Sequence, residues 1–240
     1  MRKGDMRRSE LLAAAERLFY TKGYEKTSVQ DILAEIGFSK GGFYHHFDSK
    51  LTVLEAICEQ RAAQSGEQAR AAVDACEGTA ADKLNAVFSA SQVLTSGHAG
   101  FVGLLLQVAY REDGALMREK MKHSQMESLY PLFEEIVALG AAQQEFFVPD
   151  VQGCAQMLLR MQLMLTDEIA FLLNREESEA QIMDAAVRKL NLYRTAIERM
   201  LLAPFGSIEL LDAREMQALV QRVIRERVRR RADALLTGKV

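Results

Sequence analysis

Apolar positions along this chain recur every three or four residues and never alternate over the length of a strand. Leu11, Leu12, Ala15, Leu18 and Phe19 fall on one face of a first helix, and Gly23 follows as its stop. Thr27-Ser28-Val29-Gln30 reads as a capping box, with Thr27 as N-cap and Gln30 at the third helical position. The short helix it opens carries Val29, Ile32, Leu33 and Ile36 on one face and ends at Gly37. Ser39 can cap a third helix through about His46, and Asp48 or Ser49 a much longer fourth that runs into the seventies. Phe43 and Phe47, at i and i+4, would share the inward face of the third helix, leaving Lys40, Gly41, Tyr44 and His45 outward. Three short helices on a small core, with a glycine-containing turn between the second and third, is the helix-turn-helix arrangement.

Beyond residue 50 the periods stay helical. Further helices are expected from Thr79 to about Ser96, near Phe101–Tyr110, and near Ala115–Leu139, where Pro131 predicts a kink or break. Others run from the Val148-Pro149-Asp150 loop to about Asn174, from Ser178 to about Leu202, and from a second capping box at Asp212 to about Leu236. The expected fold class is all-α, divided into residues 1–50, 51–206 and an additional C-terminal amphipathic helix in 207–240.

Composition adds to this picture chiefly through charge. The net charge of −3 is unevenly spread: residues 1–50 hold 9 Lys/Arg against 7 Asp/Glu, residues 207–240 hold 8 against 5, and the middle is acidic. Such asymmetry points to a polyanion partner for one part of the chain. Only 3 Pro interrupt 240 residues, in keeping with long helices. No apolar run approaches the ~18 residues that a membrane span needs. The basic N-terminus leads into an amphipathic segment, not the apolar run of a secretory leader, so a cytoplasmic protein without membrane contact is expected. Cys58, Cys76 and Cys154 are scattered, with no CxxC pair. They suit a reducing compartment and outline neither a disulfide framework nor a zinc site.

Residues 27–54, and above all Gly37-Phe38-Ser39-Lys40 followed by Phe43-Tyr44, Phe47, Ser49-Lys50 and Leu54, closely resemble the DNA-binding signature of TetR-family (tetracycline-repressor-like) regulators. The resemblance covers about residues 8–55. Leu33 stands where Ala is usual and Gly42 where Ala, Ser or Thr is common. It implies a double-stranded DNA operator as partner, with contacts from Thr27, Ser28, Ser39, Lys40, Gly41, Tyr44, His45 and Lys50. Chemistry agrees. Thr27, Ser28 and Ser39 lie at helix N-termini, where amide donors favour a phosphate. Tyr44 and Lys50 suit backbone contacts, and Lys40 and His45 lie where base readers would stand. The adjacent Gly41 and Gly42 each cost a helix about 1 kcal/mol relative to Ala, which close approach of DNA would explain.

The same resemblance implies that the larger helical domain dimerises and binds a small effector. Dimerisation is expected from the helices at about 151–174 and 178–202, where Met157, Met161 and Met164 form a stripe continued by Glu168 and Phe171. Phe101, Leu105, Tyr110, Met117, Met121 and Tyr130 could line an effector cavity or be ordinary core, with Met126 and Phe133 beside them. His98 and His123 could be polar contacts in such a pocket or surface residues. In the C-terminal helix, Met216, Leu219, Val220, Val223, Ile224 and Val228 make an apolar stripe beside Arg222, Arg225, Arg229, Arg230 and Arg231, an added dimer or packing element. The chain has no GxSxG, phosphate loop or HExxH, so no enzyme, no cofactor and no metal site is expected. The expected function is a homodimeric repressor released by a small apolar or amphipathic effector. The alternative is a DNA-binding activator or architectural protein without one.

Overall fold

The first short helix-to-helix junctions show how side chains set the boundaries. In the computed structural model, which describes residues 3–92, 94, 99–111 and 114–236, α1 (Lys3–Thr21) is followed by α2 (Val29–Ile36) and α3 (Lys40–His46). The N-cap of α2 is Ser28, one residue later than the sequence pattern predicts. Its hydroxyl accepts from the Asp31 N–H at 3.1 Å while its own N–H donates to the Asp31 carboxylate at 2.7 Å. Thr27 is turned inward instead, because its hydroxyl donates to the Gly23 carbonyl at 2.8 Å. Gly37 ends α2 in the left-handed region at φ 63°, which only glycine adopts without strain. Leu11, Phe19, Ile32, Phe43 and Leu54 close the core beneath these helices.

From Ser49, whose capping box is completed by Thr52, α4 (Lys50–Asp74) runs as one rod out of the head and into the body. The body comprises α5 (Ala80–Ala90), α6 (Ala99–Val108), α7 (Ala115–Ala142), α8 (Val151–Asn174) and α9 (Glu179–Leu201). α4 packs on α5 and α7, α7 on α8, and α8 on α9. α4 and α7 approach closely at Gly66, where a Cβ would stand 3.1 Å from the Ser128 Cβ and 3.2 Å from its carbonyl oxygen. All described residues outside turns are helical, and no described helix is long and apolar enough to cross a membrane.

Two boundaries differ from the sequence reading. α5 stops at Ala90, not near Ser96, with the buried Ser91 as its C-cap, whose hydroxyl donates to the Val87 carbonyl at 2.7 Å. α7 runs unbroken through Pro131 for 28 residues. Burial of Leu129, Leu132, Phe133, Ile136 and Val137 around the proline offsets the single backbone hydrogen bond it removes.

α10 (Ala213–Leu236) is a packing element of its own subunit. Met216, Leu219 and Val220 are fully buried, against α9 and α6. The Arg227 guanidinium donates to the carbonyls of Leu173 and Arg175, so a cation caps the negative end of α8. The stripe runs out at Val228, which is exposed. The side chains of Arg230 and Arg231, like His98, lie outside the described residues.

Candidate nucleic-acid interface and effector site

Five of the eight expected DNA-contact residues form one exposed surface on and beside α3. Ser39, Lys40, Gly41, Tyr44 and His45 all face out, while Phe43 and Phe47 are buried beneath them with ring centroids 6.1 Å apart. Phe43 also meets the Tyr44 ring edge-on at 5.3 Å, fixing where the phenol stands. The Ser39 hydroxyl accepts from the Gly42 N–H at 3.1 Å, so the capping oxygen and the exposed end of the helix lie together.

Three residues of the expected set stand differently. Thr27 is 1% exposed and its hydroxyl is engaged by the Gly23 carbonyl, so it faces the core of the head. Ser28 is exposed, but its hydroxyl also donates to Asp31 at 2.8 Å. Lys22, 2.6 Å from that carboxylate, and the Ser28 donors hold Asp31 well below the usual carboxylate range. Lys50 is drawn inward. Its ammonium donates to the Tyr24 carbonyl at 2.7 Å and sits 4.1 Å from the Tyr24 ring centroid, and desolvation there lowers its pKa. That partner is a backbone carbonyl, which no residue pattern announces.

The two glycines also separate. A Cβ on Gly42 would stand 2.5 Å from the Phe38 ring, so that glycine answers to an internal contact. A Cβ on Gly41 would meet nothing within 4 Å, so the bare backbone there faces outward. Two cations absent from the sequence expectation complete the surface: Arg7 lies 5.5 Å over the Phe38 ring and Arg8 5.2 Å over the Phe47 ring. Their only sequence signal was a basic N-terminal run.

Residues 11–57 match the model for bacterial regulatory proteins of the tetR family. This head is therefore similar to the DNA-binding head of that family. The transcriptional regulator YfiR of Bacillus subtilis is 42% identical over 55 residues, 23% of this chain and 27% of the relative. The transcriptional repressor KstR2 of Rhodococcus jostii is 34% identical over 94 residues, 35% of this chain and 46% of the relative. The chain spans about a quarter of the length of the first curated relatives it matches. Over the whole chain the likeness is one of fold. A TetR-family regulator from Mesorhizobium loti superposes with a TM-score of 0.56 at 17% identity, covering 82% of this chain and 98% of the other. The regulator FadR of Bacillus subtilis, solved with stearoyl-CoA, gives 0.54 at 19% identity, covering 84% and 99%.

The six effector-pocket candidates do not surround a ligand-sized space. Phe101, Leu105, Tyr110 and Met117 are buried in the core, and Met121 and Tyr130 pack half-buried against it. Leu105, Tyr110 and Met121 border a void of about 20 Å³, room for about one water. The void is small because polar groups close it. The Tyr110 hydroxyl donates to Asp167 at 2.8 Å, Lys122 meets the same carboxylate at 2.9 Å, and burial pushes the phenol pKa up. A much larger space of about 720 Å³ opens between the end of α1, α6, the end of α8 and α10, and none of the six lines it. No cluster of three or more His, Cys, Asp or Glu among the described residues could hold a metal ion.

Proposed function

We propose that this chain is a homodimeric transcriptional repressor whose two heads bind a near-palindromic operator and let go when a small effector binds the body. The head is residues 1–50, the body 51–206, and α10 an addition to the body. The observation that carries this reading is the exposed α3 surface of Ser39, Lys40, Gly41, Tyr44 and His45, backed by the buried Phe43 and Phe47. A rigid helix with a cation, a phenol and bare backbone on one side suits insertion into a major groove. Arg7 and Arg8 extend the cationic rim towards the flanking phosphates. Dimerisation is supported by α8, where Met157 and Met164 are exposed on one face. FadR, of the same fold, was solved with an acyl-CoA; an effector of apolar or amphipathic character is the corresponding proposal here.

Selection of bound sequences from a random duplex pool, using the full chain, tests the reading. Enrichment of two inverted half-sites about one helical turn apart is expected. The variant Lys40→Ala should bind the selected site about 1–3 kcal/mol more weakly and lose its preference at one base position. A pool that emerges unenriched would remove the operator from the proposal.

A further inference from the structure

The cleft of about 720 Å³ has a size typical of small-molecule sites and a two-sided chemistry. Its apolar wall is built by Phe19 of α1, Leu104 and Leu106 of α6, Leu173 of α8 and Val223 of α10. The α10 side of the lining carries Arg222, Arg227 and Arg229 against the single acid Glu226, a net positive set in which Arg229 is exposed. Arg227 fastens α10 to the end of α8, which fixes the rim relative to the wall. Apolar wall and planar cationic forks match a molecule with a hydrocarbon tail and an anionic head.

The cleft also touches the joint between head and body. Tyr20, the next residue of its α1 wall, donates its hydroxyl to the Glu16 carboxylate. Arg61 of α4 donates to that carboxylate at 2.7 Å and to the Tyr20 hydroxyl at 2.9 Å, and its guanidinium lies 4.5 Å over the Phe101 ring of α6. One side chain of the cleft wall therefore belongs to the polar joint that sets the angle of α1 against α4 and α6.

We infer that the cleft between α1, α6, α8 and α10 is the effector site, that it takes a free single-chain amphipathic anion, and that occupancy moves the head through the Tyr20–Glu16–Arg61 joint. This rests on the reading of the chain as an effector-controlled DNA-binding protein. It differs from the position along α6 and α7 expected from sequence, and it gives α10 a role in recognition.

Calorimetric titration of the full chain with decanoate and decanol, alongside sedimentation with phosphatidylglycerol vesicles, tests the site. Decanoate should bind about ten-fold or more tightly than decanol, as charge-assisted hydrogen bonds to guanidinium require. The preference should shrink several-fold in Arg229→Gln, an exposed position that leaves packing intact. Vesicles should not carry the protein down. Equal affinity for the two probes, an undiminished preference in that variant, absence of decanoate binding, or binding to vesicles alone each overturns the site. Operator affinity measured with decanoate separates this from the parent reading. A charge-dependent decanoate site with unchanged DNA affinity keeps the site and removes effector control. DNA binding without a decanoate site does the reverse. In Glu16→Gln, decanoate should still bind while its effect on DNA affinity falls several-fold; a full effect would remove the joint from the route.

Discussion

Gly41 and Gly42 are neighbours with different causes, and the difference is measurable. Gly42 is kept small by the Phe38 ring, whereas Gly41 borders open space on the exposed side of α3. Gly41→Ala removes backbone freedom from a helical position, so it is expected to raise thermal stability by up to about 1 kcal/mol. The added methyl stands where a nucleic-acid backbone would approach, so DNA affinity should fall in the same variant. A gain in stability with undiminished affinity would leave that bare backbone without a role. Lys50 gives the opposite separation. Its ammonium joins the start of α4 to the Tyr24 carbonyl, so Lys50→Ala is expected to destabilise the head by about 2 kcal/mol. The salt dependence of DNA binding should stay close to that of the parent. A slope flattened by about one unit at unchanged melting temperature would return Lys50 to the phosphate contact its sequence position implied. Phe43, Phe47, Lys40 and Tyr44 were legible because a single helical period sorts them into buried and exposed. The inward turn of Lys50 and Thr27 was not, because each bonds a backbone carbonyl, Tyr24 on a distant segment and Gly23 in the same loop, that no residue pattern announces.

At the scale of elements, local grammar accounts for most of what was legible. Ser49, Thr79 and Ser178 cap the helices their patterns announce, each closing its box with the residue three positions on. Where the reading went astray, tertiary contacts had overruled local preference: α7 carries Pro131 without a break because its neighbours are buried on both sides. The turn from α9 to α10 is likewise held by contacts that no local pattern announces. Glu198 is 3% exposed, and its carboxylate accepts the Gly206 N–H at 2.8 Å and the Ile208 N–H at 3.3 Å. A glutamate on a helix reads as a solvated residue, yet this one anchors the loop that delivers α10 to the cleft. Glu198→Ala would leave two partly or fully buried amides without their acceptor, at a cost of about 2–3 kcal/mol. Hydrogen exchange should accelerate at Gly206 and Ile208 first. Exchange unchanged at those amides would show that the loop is held by its apolar contacts alone.

At the scale of the whole molecule, the head was legible and the cleft was not, for one reason. The head draws its contact surface from a single stretch of chain, whereas the cleft joins Phe19, Leu104, Leu173 and Arg229, which no period connects. The expected dimer face stands between these cases. Met157, Met164 and Phe171 recur every seven residues along α8 and remain 54%, 56% and 42% exposed, although Met161 packs against the core and Phe171 meets the Tyr110 ring edge-on, so only part of the stripe seen in sequence is consumed by the subunit itself. Large apolar side chains repeated along one exposed helical face mark a surface that gains by being covered. A second copy meeting this face would set two α3 surfaces at a fixed separation, and linking two weak sites in that way raises affinity by about a hundred-fold or more without a new contact. Met157→Glu with Met164→Glu places charges on that face while leaving the buried side of α8 untouched. The double variant is expected to sediment at one chain mass where the parent sediments at two, with an unchanged helical spectrum. Its affinity for a complete inverted repeat should drop towards that for a single half-site, by the same hundred-fold or more. Sedimentation of the parent as one chain, or of the variant as two, would move the dimer contact off α8 and with it the geometry that spaces the heads.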